Sequence, residues 1–297
     1  MNTTRRRFLG KLGFTSAAAA VLRPTALQSA ALAPISFAVI TDTHLGKNDG
    51  DAPERLWVKT AVELQAAPGD FVLHLGDIVD GQREPQYARY LAARNVIAKP
   101  VYEIPGNHDK PGDFQKNLRQ QIDMFFDHGW LRVVLMNNSQ TDSHDGFFTV
   151  HQLEWLAHIC DEAAAKKQRI LICTHVPVHS NINPDRGWYV KPTNGQTAFY
   201  ETMKQHESRI IALFHGHFHN GLRGWNDHVP VHEILFPSAL YNQDRKLEEQ
   251  KASGYNPREF RPGYTLVNIE NGSMTLRYRA TGAEDGIEKT LPLSLGS

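Results

Sequence analysis

Five short apolar segments of this chain are each followed directly by side chains that can bind a metal ion. The segments are SFAVI, FVLHL, VYEI, ILIC and IIALF. The side chains that follow them include Asp42 and His44, then Asp77, then Asn107 and His108, then His175, and finally His217 and His219. Short apolar runs of this kind are typical of buried strands in a largely parallel sheet. Because sites in open α/β sheets are built at the carboxyl ends of the strands, the pattern predicts one site at that edge.

Helical patterns lie between several of these strands and indicate an α/β protein. Segment Glu54–Gln65 and the segment that begins HQLEWL carry apolar residues at i, i+3 and i+4 steps. Near the end of the sequence, two strand-like runs flank Asn271-Gly272, which predicts a β-hairpin. After residue 34 the sequence has no internal repeat and no Pro/Ser-rich linker, so residues 34–297 are expected to form one domain.

Composition gives no nucleic-acid-binding signal and no sign of an anionic membrane as a partner. The 297 residues carry 32 basic and 32 acidic side chains, so the formal net charge is zero. The two cysteines are Cys160, on the apolar face of a predicted helix, and Cys173, in a predicted strand. We expect both to be buried as small hydrophobic residues rather than to act as ligands or to form a disulfide.

The candidate ligands are all oxygen or nitrogen donors. Carboxylate, amide and imidazole groups without a thiolate suit Mn, Fe, Zn or Co ions. Seven such residues are more than one ion takes while it keeps an open position, and they are enough for two ions. Two ions about 3.5–4 Å apart need a shared ligand, and a carboxylate can bridge them. The sequence therefore predicts two divalent metal ions as cofactors.

The ordered motifs DTH, GDIVD, GNHD, TH and GHFH resemble those of the calcineurin-like metallophosphoesterases. The resemblance covers the chain from about Phe37 to His219, and the HQLEWL segment is also similar to a helix opening in this family. It implies a four-layer α/β sandwich of two mixed β-sheets, with helices outside and the site at one edge. It also implies a small-molecule phosphate ester as substrate, a phosphomonoester or a phosphodiester, attacked by a hydroxide held on the metal pair.

The resemblance also implies a role for each motif residue. Asp77 would bridge the two ions, and six further residues would complete the ligand set: Asp42, His44 and His219 on one ion, and Asn107, His175 and His217 on the other. His108 would face the phosphate and protonate the leaving group or stabilise the transition state, and Asp109 would orient His108. From the residues alone, alternate positions such as Asp42 and His44 direct two side chains to the same side of an extended segment.

Three neighbours of the motifs are expected to have supporting roles. Purple acid phosphatases share the arrangement but carry a Tyr three residues after the bridging Asp, where this chain has Asp80. Asp80 argues against that class, and we expect it to hydrogen-bond backbone groups or a ligand histidine. His74 and His215 lie inside predicted strands, so we expect them to pack or to support the site rather than to bind the metal pair.

Residues 1–33 have the order of a secretory signal: basic residues, the apolar run Leu12–Leu22, and then Ala31-Leu32-Ala33. Segment Thr4–Lys11, TRRRFLGK, resembles the twin-arginine motif that a bacterial export machinery reads. The apolar run is too short to span a bilayer. We therefore expect a periplasmic or secreted protein without a transmembrane segment in its mature chain; a disordered basic tail is the alternative.

The loops that follow the ligand-bearing strands are expected to line the substrate pocket: Lys110–Asn117, Asn137–Gly146 and Val176–Gly195. In the last loop, Trp188 and Tyr189 either stack on a substrate base or pack the loop onto the body of the protein, and both interpretations stay open. A different class of function is a noncatalytic scaffold of the same fold that binds a protein. Such members usually lose ligands, whereas all the ligands are present here.

Overall fold

Two mixed β-sheets lie at the centre of the computed structural model, which describes residues 32–47, 51–81, 84–179, 187–224, 231–243 and 247–293. The six strands of the first sheet are β1 (Ile35–Ile40), β2 (Val72–His74), β3 (Val101–Glu103), β9 (Gly263–Glu270), β10 (Ser273–Ala280) and β11 (Gly286–Pro292). The five strands of the second are β4 (Met124–His128), β5 (Leu131–Leu135), β6 (Arg169–Cys173), β7 (Ile210–His215) and β8 (His232–Leu235). The described helices are α1 (Ala52–Ala66), α2 (Glu84–Arg94), α3 (Pro111–Asn117), α4 (Val150–Ala165), α5 (Gln196–Gln205) and α6 (Leu247–Gln250).

Parallel pairing brings the strands that precede the motifs side by side. The first sheet has the order β11-β10-β9-β1-β2-β3, in which β1, β2 and β3 are parallel. The second has the order β4-β5-β6-β7-β8, in which β5 to β8 are parallel. The remaining strands of each sheet pair in the antiparallel sense. In both sheets, therefore, the strands that deliver the motifs have their carboxyl ends at the same edge.

Alternation along each strand produces the four layers. In β1, Phe37 and Val39 join the apolar cluster between the two sheets, whereas Ala38 and Ile40 join a cluster with α1 and α2. In β6, Leu171 lies between the sheets and Ile172 packs with α4 and α5. Because both faces of these strands are covered, their sequences are apolar throughout. The predicted four-layer α/β sandwich with two mixed sheets is confirmed.

Local signals also behave as predicted. The hairpin of β9 and β10 turns at Asn271-Gly272, and both residues have positive φ, 51° and 74°, as a tight hairpin turn requires. Helix α4 begins at a capping box in which the Thr149 hydroxyl oxygen accepts from the Gln152 N–H and the Gln152 side chain accepts from the Thr149 N–H. Cys160 and Cys173 are buried and unpaired, in different layers of the core.

The predicted signal segment, residues 1–33, falls almost wholly on residues 1–31, which lie outside the described residues, so that segment and the domain boundary at residue 34 stay predictions. Within the described parts of the chain, no helix combines the length and the apolar character needed to cross a bilayer.

Candidate metal centre

Four buried side chains converge where the loops after β1, β2 and β7 meet. Asp42, His44, Asp77 and His219 each direct one donor atom into a common space. His219 Nε2 lies 3.1 Å from Asp42 Oδ1 and 3.1 Å from His44 Nε2. His44 Nε2 in turn lies 3.4 Å from Asp77 Oδ2. These separations are those of donor atoms that share one metal ion.

A second group of donors shares Asp77 with the first. His175 Nε2 lies 3.3 Å from Asp77 Oδ2 and 3.2 Å from His217 Nδ1. The same carboxylate oxygen, Asp77 Oδ2, therefore faces donors of both groups. This is the arrangement expected of a carboxylate that bridges two ions.

One oxygen of each aspartate is fixed by hydrogen bonds, and the other faces the cluster. Asp42 Oδ2 accepts from the Thr41 hydroxyl and from the His217 backbone N–H, at 2.7 and 3.1 Å. Asp77 Oδ1 accepts from the His108 backbone N–H at 2.9 Å. The backbone of the loop after β3 is thereby joined to Asp77. Asn107, in that loop, is buried, and its role as a ligand stays a prediction.

Three of the histidines have their outward nitrogen bonded to an acceptor. Nδ1 of His44 donates to Asp80 Oδ1 at 3.0 Å, Nδ1 of His175 to Leu75 O at 2.7 Å, and Nδ1 of His219 to Tyr241 O at 2.9 Å. A proton on Nδ1 leaves Nε2 of the neutral ring with a lone pair. Each of these lone pairs is aimed at the carboxylates, an arrangement that is repulsive unless a cation lies between them.

Buried polar atoms without partners support the same conclusion. Asp42 Oδ1, Asn107 Oδ1 and His217 Nε2 are buried and have no hydrogen-bond partner among the described residues. Unsatisfied buried acceptors are rare because they lose hydration without compensation. The donor set and these orphaned atoms fit a pair of divalent ions.

Charge coupling fixes the ionisation of the cluster in the metal-free protein. Burial would lower the pKa of His44, but the carboxylates of Asp77 and Asp42 outweigh it and raise the pKa to about 10. The pKa of His175 rises to about 9 for the same reasons. The pKa of Asp77 is held well below its ordinary range because His175 and His44 outweigh the effect of burial. The metal-free centre thus keeps protons on imidazoles that metal binding must displace.

Residues 35–221, more than half of the chain, match the sequence profile of the calcineurin-like phosphoesterases. The chain belongs to this family. It is 25% identical over 260 residues to a probable cyclic nucleotide phosphodiesterase of Rhodopseudomonas palustris, covering 80% of this chain and 89% of that protein. It is also 25% identical over 274 residues to a 3',5'-cyclic-nucleotide phosphodiesterase of Nostoc, covering 88% and 98%.

A crystal structure of a dimetal phosphatase from Danio rerio has the same fold, with a TM-score of 0.64 at 16% identity, covering 87% of this chain and 98% of that one. Family membership and the converging carboxylate and imidazole groups together make this chain a metal-dependent phosphoesterase that takes a pair of divalent ions.

The ligand-bearing turns differ from the extended geometry that the sequence predicted. Asp42, His44, Asp77, His217 and His219 have φ values of 55°, 44°, 52°, 83° and 52°. The left-handed region is uncommon for residues other than glycine and carries strain, which clusters at functional sites. The inference that alternate residues converge because the segment is extended is therefore wrong. The pairs converge because the chain turns sharply at each predicted ligand.

The predicted orienting contact between Asp109 and His108 is also wrong. The Asp109 carboxylate is buried and accepts from the backbone N–H groups of Gly106, Ile78 and Val79 and from the Tyr87 hydroxyl. Asp80 Oδ1 instead lies 2.9 Å from His108 Nδ1, as well as against His44. Asp109 thus ties two loops together, and Asp80 orients the half-buried His108 ring. The expected hydrogen bond from Asp80 to a histidine of the predicted ligand set is present at His44, whose role as a ligand stays a prediction.

The predicted supporting role of His74 is confirmed. The ring is fully buried, its Nε2 lies 3.0 Å from the Thr43 hydroxyl, and its Nδ1 accepts from the Gly76 N–H. Burial lowers its pKa to about 3, so the ring is neutral and carries no charge into the site.

Of two aromatic neighbours of the centre, the sequence indicated Trp188 as a base-stacking or packing residue, whereas Tyr241 was missed. Tyr241, in the loop after β8, packs its ring 4.3 Å from the His219 ring while its carbonyl accepts from that histidine. Trp188 packs 4.0 Å from the His144 ring and 5.5 Å from the His217 ring. A sequence signal for Tyr241 was available, since β8 is a further parallel strand that ends at the same edge of the sheet.

Of the predicted pocket loop Val176–Gly195, residues 180–186 lie outside the described residues.

Proposed function

We propose that the protein is a dinuclear hydrolase of phosphodiesters whose substrates include cyclic nucleotides. The observation that carries the proposal is the position of Asp77 Oδ2, which lies 3.4 Å from His44 Nε2 and 3.3 Å from His175 Nε2 and so can bridge two ions. The choice of a diester is supported by the named activity of the two phosphodiesterases to which the chain is similar.

When bound, the two ions supply Lewis acidity that polarises a phosphate and lowers the pKa of a water molecule. Mn, Fe, Zn and Co all suit this donor set. Asp42, His44 and His219 would hold one ion, Asn107, His175 and His217 the other, and Asp77 both. The Nδ1 contacts to Asp80, Leu75 and Tyr241 keep three ligand rings in the neutral tautomer that presents Nε2.

Hydrolysis forms a bond from phosphorus to a water oxygen and breaks the bond to an alkoxide, which takes up a proton. His108 is the residue proposed to meet that alkoxide. Its Nδ1 is occupied by Asp80, so Nε2 is the ring nitrogen left to donate. The His108 ring lies 4.7 Å from the His44 ring and its side chain is about one-third exposed, which leaves it accessible to a bound substrate.

The aromatic rings beside the ligands provide surfaces for a nucleobase. Trp188 lies against His217, and Tyr241 lies against His219, with Lys47 Nζ 5.3 Å from the Tyr241 ring centre. Aromatic side chains stack on bases without sequence selectivity, and a nearby ammonium group attracts phosphate. These contacts support a nucleotide-type diester as substrate.

The test combines metal analysis with a substrate panel. Purified protein is analysed for Mn, Fe, Co and Zn, and is assayed with bis-p-nitrophenyl phosphate, p-nitrophenyl phosphate, cyclic AMP and a nucleotide sugar. We expect two ions at this centre and faster turnover of bis-p-nitrophenyl phosphate and cyclic AMP than of the monoester. Asp77→Asn should lose both metal and turnover. Two bound ions without turnover on any of the four substrates would contradict the proposal and favour a noncatalytic scaffold.

We further propose that the protein is exported to the periplasm by the twin-arginine route. The support is the order of basic, apolar and small residues within residues 1–33. Cell fractionation of the full chain and of an Arg5→Lys, Arg6→Lys variant tests the proposal, because the twin-arginine receptor reads that pair. Equal periplasmic amounts of the two proteins would rule out this route.

A further inference from the structure

A separate cluster of potential ligands lies beyond the metal pair, in the second sheet. His215 is the last residue of β7, Glu233 belongs to the neighbouring strand β8, and His179 lies in the loop after β6. All three are buried, with 0%, 1% and 6% of their surfaces exposed. One donor atom from each lies within 4.8 Å of the donor atoms of the other two. None of the three belongs to the ligand set of the metal pair.

The hydrogen bonds of His215 point a lone pair toward Glu233. The Thr174 hydroxyl donates its hydrogen to Val176 O at 3.1 Å, so its oxygen accepts from His215 Nδ1 at 2.8 Å. The proton on Nδ1 leaves Nε2 as the acceptor of a neutral ring. His215 Nε2 is buried, has no hydrogen-bond partner among the described residues, and lies 3.9 Å from Glu233 Oε1. His215 Nε2 and Glu233 Oε1 are therefore two buried acceptors that face each other, an arrangement that a cation between them would stabilise.

Glu233 is held in place by its other contacts. The Tyr200 hydroxyl lies 2.8 Å from Oε1 and 3.0 Å from Oε2 of the carboxylate. His179 Nδ1 lies 2.9 Å from Oε2. A tyrosine hydroxyl that orients a carboxylate, together with a threonine hydroxyl that orients an imidazole, is the supporting arrangement found around protein-bound metals.

We propose that His179, His215 and Glu233 form a third metal site that binds a zinc ion. Two imidazoles and one glutamate are a zinc ligand set that leaves a fourth position open. Tetrahedral zinc, with bonds of about 2.0–2.2 Å, places its ligand atoms about 3.3–3.5 Å apart, within the range of separations seen here. The ion would join the loop after β6 to β7 and β8, next to Thr174 and therefore next to the ligand His175.

The experiment counts zinc ions per chain. The full protein is dialysed against excess zinc sulfate, desalted and analysed by inductively coupled plasma mass spectrometry, alongside Glu233→Gln and His179→Gln. We expect each variant to hold one ion fewer than the unchanged protein. His158→Gln is the matched control, since it makes the same change at an exposed imidazole of α4 whose partner is Glu162, and it should keep the full number of ions.

Diffraction data collected at the zinc absorption edge locate the ions directly. We expect an anomalous peak between His215 Nε2 and the Glu233 carboxylate in addition to the peaks at Asp77. Equal zinc counts in the unchanged protein and both substituted forms, or the absence of that peak from zinc-loaded crystals, would overturn the proposal. Because His179→Gln changes a residue at the edge of the cluster, it provides a count even where Glu233→Gln fails to fold. Neither measurement depends on turnover, so failure of the proposed hydrolase activity would be seen separately.

Discussion

Asp80 connects two imidazole rings that have different tasks in the proposed reaction. A single carboxylate oxygen lies 3.0 Å from Nδ1 of His44, a predicted ligand, and 2.9 Å from Nδ1 of His108. His108 and His44, together with Lys47, outweigh the effect of burial and hold the pKa of Asp80 well below its ordinary range, so it is ionised at neutral pH. Asp80 therefore fixes the tautomer of both rings and sets their relative orientation.

We predict that Asp80→Asn lowers kcat for bis-p-nitrophenyl phosphate by about 10- to 100-fold, the usual effect of removing a partner of a ligand histidine. The matched variant is Asp109→Asn, which removes a carboxylate whose hydrogen-bond partners among the described residues are backbone groups and Tyr87. It should lower the melting temperature more than Asp80→Asn does and should leave turnover per metal-loaded molecule closer to normal. If Asp109→Asn instead lowered turnover more than Asp80→Asn does, and lowered the melting temperature less, then Asp109 and not Asp80 would orient His108.

The contribution of Trp188 to substrate binding can also be measured with a single substitution. Stacking of a base on an aromatic ring is worth about 1–3 kcal/mol. Trp188→Ala should therefore raise KM for cyclic AMP by about 10-fold and leave KM for a diester without a base, such as glycerophosphocholine, within about 2-fold. Tyr189→Ala is the control, because the Tyr189 ring packs on Lys191 and, within the described part of the chain, shows no ring contact with a predicted ligand. Equal effects of Trp188→Ala on both substrates would mean that Trp188 only packs the loop.

At the scale of elements, the sequence predicts the strands, the two sheets and the motif residues, because apolar runs and polar strand ends are local patterns. In β1 and β6, alternate residues pack into different apolar clusters, one on each face of the sheet, and this arrangement produces the four layers. The geometry of the turns is not local. Asp42 and His217 have left-handed φ, and Asp80 rather than Asp109 contacts the His108 ring. Both features depend on the packing of loops that follow different strands. No periodicity in the sequence encodes those contacts.

The turn after β3 gives a direct test of that packing. A Cβ atom at Gly106 would overlap Asp77 Oδ1 and approach the Asp77 backbone nitrogen to 2.4 Å. Gly106→Ala should therefore displace Asp77 and lower the number of bound ions by at least one per chain, together with turnover. Gly112→Ala, in α3, is the control, because a Cβ there meets nothing within 4 Å. Unchanged metal content in Gly106→Ala would show that the turn can shift to accommodate the added Cβ without displacing Asp77.

Across the whole molecule, the centre joins the two sheets. Asp42 and Asp77 follow strands of the first sheet, and His175, His217 and His219 follow strands of the second. Bound ions would therefore add to the apolar packing and the hydrogen bonds that already join the two sheets. Ligands that bind only the folded state stabilise it by mass action. Without the ions, the converging carboxylates must rely on protonated histidines for compensation.

The metal-free protein should accordingly lose stability as pH rises from 6.5 to about 8.5. The pKa of His44 is about 10 in the folded protein against an ordinary 6.5, and that of His175 is about 9. Protonation of such groups stabilises the fold fully below pH 6.5, and the contribution is lost as pH approaches the pKa values of the folded protein.

A loss of at least about 1.4 kcal/mol in the free energy of unfolding would lower the melting temperature by about 3 °C or more. Asp42, Asp77 and Asp80, whose pKa values are lowered, are ionised throughout this window and add no slope. Thermal unfolding followed by circular dichroism, with and without chelator, checks the prediction. The metal-loaded protein should vary little over the same range, because its histidines hold metal instead of protons, and a metal-free protein that gained stability toward pH 8.5 would contradict the assigned ionisation.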